Sequence, residues 1–216
     1  QVNQSEKLAV IGQLAAGVAH EIGNPLTAIS SVVQLLQRKS GDHQLNEHLA
    51  QVKENIDRIS KIVRELVDFS RPPSYKKMII QITDVIKTAL GIVKYDKRVK
   101  KVEFKTSFDS EMPLISIVSD QLLQVFVNIL FNALDATEGN GEISVKTWHD
   151  ENYAFVEITD NGCGMGQDVI DKIFDPFFTT KEVGKGTGLG LSVSYGIIKK
   201  FNGDIFVKSA IGKGSS

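Results

Sequence analysis

Two units of different class are predicted: an all-α antiparallel helical hairpin, suited to pairing into a dimeric four-helix bundle, followed by an α+β sandwich. Three observations carry this. Apolar residues recur at steps of three and four from Leu8 to Leu66. The proline pair Pro72-Pro73 closes that pattern. Beyond it, short alternating stretches and glycine-rich loops replace the helical rhythm. A chain of 216 residues suits two modest domains of about 100 to 150 residues each, placed at 1–73 and 74–216.

In the first unit the stripe runs Leu8, Ile11, Ala15, Val18, Ile22, Leu26, Ile29, Val33 and Leu36. After the polar break Ser40-Gly41-Asp42-His43 it resumes at Leu45, Leu49, Val52, Ile56, Ile59, Val63 and Leu66. At about 1.5 Å per residue the first helix reaches about 45 Å, a bundle-like length. The short turn makes the two helices antiparallel. Two helices alone leave half of each stripe in water, and a second copy of the chain covers it, so a homodimer through the hairpin is expected. The alternative, packing of both helices on the second unit, leaves much of their length overhanging. Arg71-Pro72-Pro73-Ser74 then reads as a stiff linker.

The second unit reads as a strand at Met78–Ile82, a helix at Asp84–Lys94, and strands at Val102–Ser107 and Leu114–Val118. A strongly apolar helix follows at Asp120–Thr137 with Ser119 as its N-cap. Glu142–His149 and Tyr153–Thr159 form a hairpin turning near Glu151-Asn152. A glycine-rich region from Gly162 to Gly190, a helix to Phe201 and a strand at Asp204–Ser209 complete the pattern. This is one sheet with helices on one face.

The composition, 42% hydrophobic and 24% charged, excludes wholesale disorder. Lys plus Arg number 25 against 26 Asp plus Glu, a net charge of -1, so no global field draws the chain to nucleic acid or acidic lipid. The single cysteine, Cys163, forms no internal disulfide and no thiolate zinc cluster. No apolar run approaches the roughly 18 residues of a membrane span. A cytoplasmic address is expected, and any membrane anchor of a longer parent would lie outside these residues.

His20 sits two residues after the stripe position Val18, about 200° round the helix, and so faces water. A neutral imidazole is a nucleophile with two distinct nitrogens. Glu21 beside it can hold the proton of one nitrogen while the other attacks. Asn24 lies about 40° round from His20 and can orient a water over the same spot. Pro25 deletes a backbone donor and bends the helix there. The plainer alternative is a solvated histidine in an ordinary polar pair, as expected for His43, His48 and His149. A zinc motif is excluded, because no second histidine stands at position 24.

Asn128, Asn132 and Asp135 stand at i, i+4 and i+7 of an apolar helix and form one polar edge. Carboxamide oxygens suit Mg²⁺, which takes few protein ligands beside waters and phosphate oxygens; water or capping contacts are the alternative. Asp160-Asn161-Gly162-Cys163-Gly164-Met165-Gly166 follows a strand directly. Its carboxylate can accept from an exocyclic amine and its glycines admit a flat base, although a ligand-free tight turn would need similar glycines. Gly184-Lys185-Gly186-Thr187-Gly188-Leu189-Gly190 leads into a helix, whose free N–H groups, aided by Lys181 and Lys185, form a phosphate cradle. It is neither a Walker loop nor a Rossmann fingerprint.

These motifs, in this order, resemble the catalytic core of two-component sensor histidine kinases across residues 5 to about 214. His20-Glu21-Ile22-Gly23-Asn24-Pro25-Leu26 is similar to the phosphoacceptor box of the dimerisation and phosphotransfer (HisKA-type) hairpin. Asn128 to Asp135, Asp160 to Gly166, Phe174-Asp175-Pro176-Phe177-Phe178 and Gly184 to Gly190 resemble the N box, first glycine box, F box and second glycine box of a Bergerat-type ATPase domain. The resemblance implies that His20 takes the γ-phosphoryl of ATP, with Glu21 as base and Asn24 supporting phosphatase activity. It implies Mg²⁺ at Asn132 with Asn128, and the adenine amine at Asp160. Asp135, Gly162, Gly164, Met165, Phe177 and Phe178 line the nucleotide, under a mobile lid that includes Lys181, Lys185, Gly186, Thr187, Gly188, Leu189 and Gly190. It further implies ATP as cofactor and an aspartate of a response-regulator receiver domain as the acceptor. Two departures stand out: Gly23 replaces a frequent basic residue, and Gly212-Lys213-Gly214-Ser215-Ser216 resembles the start of a last glycine box without the strand expected after it. Rival readings are a fragment acting mainly as phosphatase and a nucleotide-gated scaffold without transfer chemistry.

Overall fold

The computed structural model describes residues 22–38, 41–70, 77–182 and 186–216. The stripe from Leu8 to Val18, the pair His20-Glu21, the prolyl joint at 71–74, Gly184 and Lys185 lie outside the described residues. The chain divides into two compact units.

The first is a pair of helices, α1 (residues 22–38) and α2 (His43–Ser70). The break between them works as a cap: the Asp42 carboxylate accepts the main-chain N–H groups of Gln44 and Leu45 at 2.9 and 3.3 Å, two donors that the first turn of α2 would otherwise leave open. The two apolar stripes split into alternating sets. Leu26, Val33, Leu49, Ile56 and Val63 are buried within the hairpin. Ile22, Ile29, Leu36, Leu45, Val52 and Ile59, the intervening positions, are exposed. In α1, which contains Pro25, the Thr27 and Ser31 hydroxyls donate to the carbonyls of Gly23 and Thr27, both at 2.9 Å.

The second unit begins with β1 (Met78–Gln81) and α3 (Ile82–Lys94), continues through a 3₁₀ turn (Lys97–Lys100) to β2 (Lys101–Ser107) and β3 (Leu114–Ile117), and then α4 (Ser119–Ala136). The hairpin β4 (Asn140–His149) and β5 (Ala154–Asp160), the short α5 (Gln167–Ile170) and α6 (Gly190–Lys200) follow. β2 runs parallel to β4, and β4 antiparallel to β5. β1 pairs antiparallel with β3 in a separate two-stranded ribbon, so the single sheet expected from the sequence is two. The hairpin turns where expected: the Asp150 carboxylate accepts from the N–H groups of Asn152 and Tyr153 at 2.8 and 2.7 Å.

α4 is the central helix, packed between α3 and α6 and against β5. Leu122, Val125, Phe126, Leu130, Ala133 and Leu134 of α4 are buried with Ile86, Val93, Ile143 and Val145 in one core. Burial of these side chains contributes about 1.5–3 kcal/mol each relative to exposure, which fixes the rotation of α4 and with it the direction of its polar edge.

Several boundaries shift by one or two residues from the sequence expectation, and three differences have a physical reason. Ile82 opens α3 rather than closing β1. The N-cap of α4 is Val118, whose carbonyl already accepts the Leu122 N–H at 3.2 Å, so Ser119 lies inside the first turn. Residues 204–208 form no regular strand; the tail instead folds on itself, with Lys208 and Ser216 exchanging two main-chain hydrogen bonds of 2.8 Å.

Candidate functional site

α4 delivers the polar edge expected of it. Asn128, Asn132 and Asp135 are all half-buried, on a face left over once the apolar positions are packed. Asn128 reaches α6: its Nδ2 donates to the Gly190 carbonyl at 3.2 Å and to the Ser194 hydroxyl at 3.4 Å. Asp135 accepts from the Arg98 guanidinium, a partner that no sequence pattern marks.

The first glycine loop hangs from the C-terminal end of α4. The Cys163 N–H donates to the Ala136 carbonyl at 3.0 Å. Asp160, at the end of β5, is buried at 7% exposure. Burial pushes its carboxyl above the usual range, against the opposing pull of the N–H groups of Gly162 and Ser215. Its Oδ1 accepts the Gly162 N–H at 2.8 Å. The tail completes this wall. Asp160 and Ser215 exchange main-chain hydrogen bonds of 2.9 and 3.2 Å, and the Met165 N–H donates to the Ser209 hydroxyl at 2.8 Å. Gly214, at φ 80°, makes this approach possible, because a Cβ there would stand 1.9 Å from the Asp160 carbonyl oxygen.

The aromatic box and the second glycine box meet directly. The Phe177 N–H donates to the Gly188 carbonyl at 3.0 Å. Gly188 has φ 69°, and a Cβ on it would lie 2.3 Å from the Phe177 carbonyl carbon. Phe177 itself holds φ 67°, a strained conformation for a non-glycine residue, and is 55% exposed; Phe178 is half-buried. Leu189, buried at 2%, is the N-cap of α6 and supplies no side-chain cap. The first turn of α6 carries the positive end of the helix dipole. That is the arrangement an anion needs.

The structure thus brings Asn128 to Gly190, Phe177 to Gly188, and Asp160 and Met165 to the tail. Gly162 and Gly164 are half-buried in the same loop, and Lys181, Gly186 and Thr187 are half-buried on the stretch preceding Gly188. Asn24 is exposed on α1. Sequence reasoning missed Arg98, Ser194, Ser209 and Ser215. Only the last two had a signal, the Gly212-Lys213-Gly214 turn that returns the chain toward β5.

Comparison with known proteins agrees in both halves. Residues 10–74 match the His Kinase A (phospho-acceptor) domain, and residues 117–216 match the histidine kinase-, DNA gyrase B- and HSP90-like ATPase family. The signal transduction histidine-protein kinase AtoS of Escherichia coli (strain K12) is 40% identical over 214 residues, 99% of this chain and 35% of that protein. The chain belongs to the two-component sensor histidine kinases. The sensor kinase CckA of Brucella abortus (strain 2308) is 37% identical over 233 residues, covering 100% of this kinase core and 24% of the relative. The core therefore spans about a third or less of these two relatives. Among solved structures, full-length ShkA in complex with AMPPNP shares the fold, with a TM-score of 0.76 at 21% identity over 94% of this chain and 44% of that one. ThkA in complex with the response regulator TrrA gives a TM-score of 0.68 at 25% identity, over 98% of this chain and 61% of that one. No helix among the described residues is long and apolar enough to cross a membrane.

Proposed function

We propose that this kinase core uses Mg-ATP to phosphorylate its own His20, and that the phosphoryl group then passes to an aspartate of a response-regulator receiver domain. The observation that carries the nucleotide half is the seam between α4 and α6: Asn128 holds the start of α6 at 3.2 Å. This offers phosphate-binding N–H groups and carboxamide oxygens in one place, while the buried carboxylate Asp160 offers an acceptor for an exocyclic amine.

The donor set fits Mg²⁺. Among the described residues no group of three or more His, Cys, Asp or Glu could hold a metal ion, whereas Asn132 and Asn128 offer the few hard oxygens that suffice when phosphates and waters complete the shell. When bound, Mg²⁺ offsets the charge on the transferring phosphoryl group. In the transfer, one ring nitrogen of His20 bonds to the γ-phosphorus and the bond to the β–γ bridging oxygen breaks, releasing ADP. Glu21 holds the proton on the other ring nitrogen.

The hairpin serves as the dimer interface. Its exposed set Ile22, Ile29, Leu36, Leu45, Val52 and Ile59 repeats every seven residues within each helix, the spacing of a seam that another helix pair covers. Asn24, exposed on α1, supports a second activity, removal of phosphate from the partner regulator by orienting a water.

The test is incubation with γ-labelled ATP. Acid-labile, base-stable label on the chain, absent in His20→Gln, is expected, and label retained in that variant ends the assignment. Asn24→Ala is expected to autophosphorylate normally while dephosphorylating the regulator more slowly.

A further inference from the structure

We infer that Ser194 is a positioning residue that orients the Asn128 carboxamide so that its oxygen, not its nitrogen, faces the nucleotide and its metal. Ser194 is fully buried, at 0% exposure, on the second turn of α6. Its hydroxyl donates to the Gly190 carbonyl at 2.9 Å, and Asn128 Nδ2 approaches both that carbonyl, at 3.2 Å, and the Ser194 oxygen, at 3.4 Å.

The chemistry of the three groups fixes their orientation. A carbonyl only accepts, so the Asn128 branch facing Gly190 must be the amide nitrogen. The Ser194 hydrogen is committed to the same carbonyl, so the hydroxyl presents lone pairs to Asn128. A flipped carboxamide would set its oxygen against two other oxygens in a buried seam, which is repulsive. The nitrogen branch of the amide therefore points to α6, and Oδ1 is the branch left for a cation. With alanine at 194 the Gly190 carbonyl alone opposes the flip, and the nitrogen-out rotamer, useless to Mg²⁺, becomes populated.

This rests on the reading above that Asn128 meets the Mg-nucleotide. The test uses the full chain and follows the binding of a non-hydrolysable ATP analogue as Mg²⁺ is titrated, for the parent chain, Ser194→Ala, Asn128→Ala and the double variant. Thermal melts check that each is folded. Ser194→Ala is expected to raise the Mg²⁺ concentration for half-maximal binding about fivefold, the worth of one net hydrogen bond. The double variant should be no worse than Asn128→Ala alone, because the serine acts through the asparagine. In an NMR spectrum the Asn128 side-chain amide protons should exchange faster with water in Ser194→Ala. Parent-like Mg²⁺ dependence in Ser194→Ala beside a shifted Asn128→Ala overturns the role of Ser194, as does a further loss in the double variant. Parent-like dependence in Asn128→Ala overturns the metal reading of Asn128 itself, and the inference with it.

Discussion

Arg98, on the turn before β2, donates to the carboxylate of Asp135 on α4, joining two residues that lie 37 apart in the sequence. The same guanidinium holds both carboxylate oxygens of Asp96 at 2.8 Å and lies 5.7 Å from the centre of the Phe131 ring. Asp135 neighbours Ala136, whose carbonyl carries the first glycine loop, so Arg98 braces the point from which that loop hangs. Arg98→Ala is expected to lower stability by about 1–2 kcal/mol, the worth of charge-assisted hydrogen bonds at a part-exposed site, as read by denaturant unfolding. Arg98→Lys, which cannot fork across two carboxylates, should recover only part of it.

The same cluster sets an acid response. The side-chain hydrogen bond from Arg98 holds the Asp96 carboxyl far below the usual carboxylate range, helped by the Arg98 main-chain N–H. A depressed folded-state pKa means stability that is fully present above the unfolded value, about 3.9, and lost as pH falls from there through the folded one. The stability advantage of the parent chain over Asp96→Asn should therefore be constant between pH 6 and 8, values about two or more units above that pKa, and shrink below about pH 4. An advantage that shrank on going to alkaline pH would contradict this assignment.

Asp160 works in the opposite direction. Burial raises its pKa, so the ionised form is penalised in the folded chain and a proton is taken up at higher pH than on an exposed aspartate. On the proposed role of Asp160, protonation weakens the acceptor offered to an exocyclic amine. Nucleotide affinity is thus expected to fall on acidification, beginning above the ordinary carboxylate range. Asp160→Asn should abolish that binding at every pH without lowering the melting temperature at neutral pH, since it removes a buried charge while keeping an oxygen for the Gly162 N–H. Calorimetric titration of nucleotide across pH 5 to 8 checks both statements.

How much of this was legible follows from the range of each interaction. The polar edge Asn128, Asn132, Asp135 is a property of one helix and could be read from spacing alone, as could the turn at Asp150. The serine seat of Asn128 joins residues 66 apart, and the Arg98 brace joins residues 37 apart, so no local pattern encodes either. The split into two sheets was hidden for a related reason: β1 and β3 have strand-like sequences, but their choice of each other over β2 is made by packing. Val118 displaced Ser119 as N-cap because a valine in extended conformation can lend its carbonyl to the first turn without any side-chain bond.

Close approach gives a sharper steric prediction at Gly188. With φ 69° and the Phe177 main chain where its Cβ would stand, Gly188→Ala must displace either the aromatic box or the start of α6. Loss of nucleotide binding is expected with the rest of the fold retained, because the core around α4 does not use this contact. Circular dichroism together with nucleotide titration separates the two. A variant that binds like the parent would show that the two boxes need not touch.

The hairpin offers a contrast between two neighbouring stripe positions. Ile56 is buried within one chain at 6% exposure, whereas Val52, one turn earlier, is 43% exposed in a single copy. If a second copy covers the exposed set, a charge at Val52 acts on association and a charge at Ile56 acts on the hairpin itself. Each buried apolar side chain contributes about 1.5–3 kcal/mol, and two-fold symmetry counts every interface substitution twice. Val52→Lys should therefore shift light scattering from dimer to monomer while helical circular dichroism is largely kept, and Ile56→Lys should lose helical signal as well. A Val52→Lys chain that remains dimeric would place the interface elsewhere and leave the exposed seven-residue repeat without its partner.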